Sequence, residues 1–462
     1  VHELSEIFND LDKKKLLTEL KKKKNFVWVK RDLSPKEKQL IYNFSIPGFD
    51  LINTTKRVYP YGNLFAHSIG YVDIDLKGLA GIERYIDEND LANKTKTIEL
   101  SLDVRLQNIL HEEISYSIEK FNAKGGSGII VNPQNGEILA MVSKPDFNPH
   151  YPGHDNPQAL FNSVTQGVYE LGSCMKALIM AIAFDISAIT MHDAYDLTYM
   201  QVSGFNIKDT KPSKGWNSIP QIFLNSSNIG LSQIVLEIGK HNLQEYLKKL
   251  MLLDKLNLEI VECSKPLYKP VSLWNDLRLI TMSYGYSISE SPAHLIQAMI
   301  PVVNGGIFHP LTLKKRNNIT SNYHESRRIF KEETSKQMRQ LLRIVVSKGT
   351  GKKANVNGYY IAGKTGTANK VINGKYDDNR RISSFFGVMP VTNPQFLLFV
   401  NLDDPSGIRE TFGFAGGAWT AAPTAKAIFS RIATLFALNK IDSNDEDAQF
   451  YENIEYKITN ET

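Results

Sequence analysis

Gly172-Ser173-Cys174-Met175-Lys176, running into the apolar stretch Ala177 to Phe184, is the segment around which the chain is organised. The apolar run has helical character, which puts these five residues at a helix start. Ser173 and Lys176 are three residues apart. On a helix that spacing places both side chains on one face, about one turn apart and within hydrogen-bonding reach. A hydroxyl is a poor nucleophile until a base removes its proton, and a positioned amine does so when it is itself neutral. Cys174 points to a different face and reads as core packing, not as a nucleophile. Alone, a Ser-x-x-Lys is a common accident on a solvated helix face, so its meaning depends on the rest of the chain.

Composition bounds that meaning. The 462 residues are 42% hydrophobic and 22% charged, an ordinary globular balance long enough for two or three domains. The net charge of +5 is modest, and much of it sits in Lys13 to Lys15 and Lys21 to Lys24. Interleaved with Leu16, Leu17 and Leu20, these lysines read as the solvated face of an amphipathic helix, with no nucleic-acid partner expected. Two cysteines, Cys174 and Cys263, form no disulfide framework and no metal-ligand spacing, so neither metal nor cofactor is expected. No stretch reaches the roughly 18 apolar residues of a membrane span. With no signal-like segment at Val1, the chain is expected to be a fragment whose N-terminal anchor is absent.

Residues 1–98 differ in texture from the remainder of the chain. A charged helical opening precedes a short strand-like Phe26-Val27-Trp28-Val29 and a helix over Lys36 to Phe44. His67 and Glu83 could pair, but structural hydrogen bonding is the expected use of each. Thr97 to Leu102 reads as a short strand, and Asp103 to Phe121 repeats apolar residues at helical spacing. Gly128 to Val131 and Glu137 to Val142 flank Asn132-Pro133-Gln134-Asn135-Gly136, a hairpin signal. Helices then dominate to about residue 305. Strands return at Tyr359 to Ala368, Ile382 to Met389 and Gln395 to Leu402, before a closing amphipathic helix, Thr420 to Leu438. This order predicts an α+β fold: an antiparallel sheet covered by terminal helices, with an all-helical lobe beside it. Residues 441–462 read as an acidic, mobile tail.

Two further motifs join the first. Ser226-x-Asn228 is a polar pair between apolar segments, and alone it would be an ordinary helix cap. In Lys364-Thr365-Gly366-Thr367 a strand carries a lysine and two hydroxyls, with glycine allowing another backbone close. Ser-x-x-Lys, Ser-x-Asn and Lys-Thr-Gly in this order form a known motif set of serine β-lactamases and penicillin-binding proteins. The sequence resembles the penicillin-binding transpeptidases, specifically the class B, monofunctional kind, over nearly its whole length. The likeness extends to Gly136 to Ser143, Tyr169-Glu170-Leu171-Gly172, Asn304-Gly305-Gly306 and Gly374 to Pro390. Arg57-x-Tyr59-Pro60, His67-x-x-Gly70-Tyr71-Val72 and Gly78-x-x-Gly81-Ile82-Glu83 resemble the class B pedestal, nearest to the division-specific (septal) member, with the elongation-specific enzyme as rival. The resemblance implies a pedestal over 1–98 and a transpeptidase domain over 99–440.

The resemblance also implies roles. Ser173 would attack a stem peptide ending in D-Ala-D-Ala, with Lys176 as base or proton relay. Ser226 would pass the proton on, and Asn228 would orient Lys176 and the peptide. Lys364, Thr365, Gly366 and Thr367 would bind the substrate, with Lys364 supplying positive potential. The backbone N–H groups of Ser173 and Thr367 would form the oxyanion hole. β-Lactams would be trapped as adducts, and a membrane glycosyltransferase and other divisome proteins would be partners at the inner membrane, with the catalytic domain in the periplasm. Leu171 stands where many relatives carry proline, and Ser163 where arginine is common after Asn162. A D,D-carboxypeptidase, a β-lactamase, a β-lactam sensor and a divisome scaffold are the alternatives. No Glu-x-x-Leu-Asn appears after the second motif as a class A β-lactamase would require.

Overall fold

The computed structural model describes residues 1–8, 11–22, 25–45, 47–94, 97–153, 156–316, 326–372, 374–442 and 444–454. The chain divides into two compact units, Val1–Tyr59 and Pro60–Thr462.

The first unit holds α1 (His2–Ile7), α2 (Lys13–Lys21) and α3 (Pro35–Phe44). Leu4, Phe8 and Ile41 form its small core. Asp12 caps α2 by accepting from the Lys14 and Lys15 N–H groups, and Ser34 with Glu37 makes a reciprocal capping box on α3. The lysine-bearing face of α2 is solvated, with Leu16 alone of its leucines buried; Lys23 and Lys24 lie outside the described residues. Phe26 to Val29 forms no strand, contrary to expectation. β-Branched and aromatic residues favour extended backbone, but a strand needs a neighbour to pair with, and none lies alongside among the described residues.

Before its sheet the second unit holds, among other short turns of helix, α4 (Gly81–Glu88) and α5 (Val104–Lys120), the latter capped by Asp103. Strands β1 (Gly125–Val131) and β2 (Ile138–Lys144) form the expected hairpin, with a register shift at Ile130/Val131. Thr97 to Leu102 is reduced to an isolated bridge between Leu100 and Lys314. The lobe comes next, with α6 (Lys176–Asp185), a small hairpin of β3 (Gln201–Val202) and β4 (Phe205–Asn206), α7 (Ile219–Asn225), α8 (Asn228–Lys249), α9 (Pro292–Val303) and α10 (Glu332–Ser347). Then come β5 (Ala362–Ile372), β6 (Lys375–Met389), β7 (Phe396–Asp403), α11 (Ala421–Leu435) and α12 (Glu446–Glu452).

The five long strands form one antiparallel sheet in the order β5-β6-β7-β1-β2. Its two faces serve two cores. Ile129, Val131, Phe386, Leu397 and Phe399 face the lobe, while Ile130, Phe385, Leu398 and Val400 pack with α5 and α11. Neighbouring residues alternate between cores because successive strand side chains point to opposite faces. The sheet is therefore covered on both sides, which is why its strands read as continuous apolar runs. Helix α6 is buried along its entire length, Lys176 included.

The tail departs from expectation. Tyr451 and Ala448 of α12 are buried, and the Arg343 guanidinium donates to Glu452 at 2.7 Å and to the Ile361 carbonyl at 2.8 Å. An acidic stretch reads as solvated until a buried arginine and an apolar seat are found for it. Residues 455–462 lie outside the described residues.

Candidate active site

Three backbone segments converge at the β5 edge of the sheet. Gly172–Cys174 is a single 3₁₀ turn ahead of α6, so Ser173 sits on the turn and Lys176 opens the α-helix. Gly172 has φ +56°, and a Cβ there would stand 2.6 Å from the Thr367 carbonyl oxygen. A Cβ at Gly366 would stand 2.6 Å from the Leu171 carbonyl and 2.8 Å from Cys174 Sγ. Both glycines are therefore required for the Ser173 turn to lie against β5. That contact brings the Ser173 and Thr367 backbones together.

The third segment is the turn between α7 and α8. Ser226 ends α7 with φ +57°, a left-handed conformation that non-glycine residues seldom adopt and that is often stored at functional sites. Ser227 is the N-cap of α8, its hydroxyl accepting from Gly230 N–H at 3.0 Å. The cap reading of this motif thus belongs to its middle residue, and the flanking Ser226 and Asn228 are free to meet the lysines.

Lys176 Nζ lies 2.6 Å from the Ser226 carbonyl, 3.3 Å from Ser226 Oγ and 2.7 Å from Asn228 Oδ1. Lys364 Nζ reaches the same Ser226 Oγ at 2.9 Å. The anticipated Ser173–Lys176 hydrogen bond is not formed among the described residues, because the amine is directed onto Ser226 and Asn228. Burial, and after it the charge of Lys364, hold Lys176 well below the ordinary lysine range, opposed by the charge of Asp209. Burial also lowers Lys364, to about 8. Both environments favour the neutral amine, with a single hydroxyl bridging the two lysines. Lysine–lysine repulsion is the smaller contribution to the lowering of Lys176; desolvation is the larger.

The remaining residues fall around this centre. Thr365 Oγ1 donates to Thr350 Oγ1 at 3.0 Å, and Thr367, exposed, accepts from Gly417 N–H at 2.9 Å. Cys174 is fully buried against Ser384 and the Lys364 carbonyl, and burial raises its thiol to about 11, which leaves it uncharged packing. His67 binds the Ala159 carbonyl at 2.8 Å and is held neutral by burial, near 4. Sequence reasoning missed Thr350, and it missed Lys208 and Asp209, which hold the Ser226–Asn228 turn from outside. It also gave no role to Glu170, which accepts from Ser287 N–H at 2.7 Å and the Tyr376 hydroxyl at 3.1 Å. Thr350, Lys208 and Asp209 are single polar residues outside any motif or periodic run, and only the fold shows what they and Glu170 touch.

The sheet with its flanking helices is the penicillin-binding transpeptidase fold, and the chain belongs to the class B penicillin-binding proteins. The penicillin binding protein transpeptidase domain matches residues 126–430, and the penicillin-binding protein dimerisation domain matches residues 1–113. Among curated relatives, the chain is 34% identical to a probable peptidoglycan D,D-transpeptidase FtsI of Caulobacter vibrioides, over 88% of this chain and 71% of that one. It is 27% identical to the peptidoglycan D,D-transpeptidase FtsI of Escherichia coli, over 89% and 72%. The transpeptidase domain of Burkholderia pseudomallei penicillin-binding protein 3 superposes with TM-score 0.66 at 27% identity, covering 74% of this chain and 97% of that one. Penicillin binding protein 3 of Mycobacterium tuberculosis, complexed with ampicillin, shares the fold at TM-score 0.76 and 23% identity, over 84% and 92%.

Proposed function

We propose that this chain is a peptidoglycan D,D-transpeptidase that cross-links stem peptides at the division septum through a Ser173 acyl-enzyme and is inhibited by β-lactams. The observation that carries the chemistry is the pair of buried lysines sharing Ser226 Oγ beside the Ser173 turn. Neutral Lys176 keeps two N–H groups for the Ser226 carbonyl and Asn228 Oδ1, leaving its lone pair to take a proton. Ser173 Oγ gives up its proton to that amine and attacks the carbonyl carbon of the penultimate D-Ala. The tetrahedral intermediate collapses, the C–N bond breaks, and the terminal D-Ala leaves with a proton relayed from Lys176 through Ser226. An amine of a second stem peptide then attacks the ester, forms the new amide and returns Ser173 to its hydroxyl form. Charged Lys364, with Thr365 and Thr367, holds the substrate carboxylate. The N–H groups of Ser173 and Thr367 receive the oxyanion, each such donor contributing about 3 kcal/mol in the transition state.

The septal role rests on the pedestal signatures around Arg57, His67 and Gly78, and relatives named FtsI support it. On this reading residues 1–98 form the pedestal and 99–440 the catalytic domain. The enzyme works at the inner membrane facing the periplasm, beside a membrane glycosyltransferase and divisome partners. Among the described residues no helix is long and apolar enough to cross a membrane.

The test is covalent labelling by a fluorescent penicillin, monitored over hours, for the wild type and Ser173→Ala. Persistent label on the wild type alone supports the acyl-enzyme, whereas an unlabelled wild type sinks it, and rapid loss of label indicates β-lactamase action. A donor and acceptor stem-peptide pair then separates cross-linking from carboxypeptidase hydrolysis by product mass. Concentration of the membrane-anchored protein at midcell would support the septal role; an even distribution along the growing side wall would reassign it to elongation.

A further inference from the structure

The turn that offers its oxygens to Lys176 is itself held by a strap, residues 201–209. The β3–β4 hairpin is closed by Ile207 N–H donating to the Met200 carbonyl at 3.0 Å, and it delivers Lys208 and Asp209 to the start of α8. The Asp209 carboxylate accepts there from the Ser227 hydroxyl at 2.7 Å, from the Asn228 N–H group and from Ile229 N–H at 3.1 Å. Beside it, the Lys208 carbonyl accepts from Asn228 Nδ2 at 2.9 Å. A carbonyl can only accept, so this contact fixes the amide with its NH₂ towards the strap and its Oδ1 towards Lys176. The first N–H groups of a helix have no partner within it, and a carboxylate is the strongest acceptor for them.

We propose that Asp209 is a positioning residue for acylation: by clamping Ser227 and the start of α8, it fixes Ser226 and Asn228 against Lys176. It touches neither Ser173 nor the expected substrate groups, so it acts through the turn. A purely structural cap would serve stability alone. Asp209 also stands within electrostatic reach of Lys176, and the charged groups acting on that amine are Lys364 on β5 and Asp209 on the strap. Asp209 opposes the lowering of the Lys176 pKa, so removing its charge lowers that pKa further. The acid limb of acylation, which reports formation of the neutral amine, then moves to lower pH. The inference rests on the acyl-enzyme reading above.

The experiment measures the pseudo-first-order rate of labelling by excess fluorescent penicillin from pH 5 to 10, for the full chain and its Asp209→Asn and Asp209→Glu variants. Under excess probe this rate is independent of how much of the protein is folded. For Asp209→Asn the expected result is a plateau lowered about tenfold, the size of one lost charge-assisted hydrogen bond. Its acid limb should also move down by about half to one pH unit. Asp209→Glu should return the limb to the wild-type position, because the charge is restored. If Asp209→Asn gives no folded protein, Asp209→Glu is decisive together with its unfolding temperature: a lowered plateau at a wild-type unfolding temperature supports the proposal, and a wild-type profile, or a plateau lowered only along with the unfolding temperature, overturns it. A profile for Asp209→Asn within about twofold of wild type at every pH also overturns it. So does a lowered plateau with an unmoved limb, which would mean simple loosening. An unlabelled wild type would instead defeat the acyl-enzyme reading.

Discussion

Lys176 and Lys364 are both fully buried, yet their environments make them different acids. Lys176 has two carbonyl oxygens and a hydroxyl within 3.3 Å and a second lysine nearby, whereas Lys364 is lowered only to about 8. The direction of each shift sets the sign of the pH dependence. On the proposed mechanism acylation requires Lys176 neutral, so it rises with pH as that lowered amine loses its proton. It also requires Lys364 charged, so it falls as pH passes above about 8. The expected profile of penicillin labelling is a bell whose alkaline limb lies near 8, checked by stopped-flow fluorescence; a rate still climbing at pH 10 would contradict the assignment. Removing the amine tests the acid limb. Lys176→Met should reduce the labelling rate by about 10²–10⁴-fold, the usual worth of a general base. Since burying the amine costs desolvation, thermal unfolding should be little changed. Near-wild-type labelling would transfer the base role to another group.

At the scale of elements, the Ser173 turn works because two glycines let it lie on β5. Gly172→Ala combines a positive φ with a Cβ 2.6 Å from a strand carbonyl. That contact is with backbone, which cannot swing aside. The expected outcome is a loss of about 1–3 kcal/mol in denaturant unfolding together with slowed labelling, because relief requires the turn to lift from β5 and the proposed oxyanion site. Unchanged labelling would show that the turn tolerates displacement. The same elements show what a sequence reveals. The sheet strands were legible because alternation and apolar runs survive wherever both neighbours are present, and the three motifs were legible because each is a contiguous string. Phe26 to Val29 had the residues of a strand without a partner, and pairing is a property of two segments. Asp209 and Thr350 were invisible for the same reason, since their meaning lies in α8 and in Thr365 across the fold.

Over the whole molecule, the sheet divides two cores, and the chain end closes one side. Tyr451 is 4% exposed, and α12 is tied through Arg343 to the residue before β5. Tyr451→Ala should cost about 3 kcal/mol in thermal or denaturant unfolding, as for other buried aromatic truncations, whereas a free tail would give no change. Glu290 sets a broader dependence. Its backbone exchanges two hydrogen bonds of 3.0 Å with Tyr169, four residues before Ser173, so it joins the approach to α9 to the segment leading into the Ser173 turn. Its side chain is 2% exposed, and Oε2 has no hydrogen-bond partner among the described residues. Burial raises the carboxyl from 4.5 to about 8, so the folded protein keeps a proton that the unfolded chain releases. Below about 4.5 both states are protonated and the group is neutral in the balance. As pH rises from there towards 8 the unfolded state is increasingly favoured, by up to about 1.4 kcal/mol per pH unit from this group alone. Glu290→Leu removes the carboxyl and fills a similar volume with apolar atoms. It should therefore raise the unfolding temperature little at pH 5 and progressively more towards pH 8, as read by calorimetry at matched ionic strength. A gain that stays constant across that range would mean Glu290 has a charge partner in the folded protein and titrates near its ordinary value.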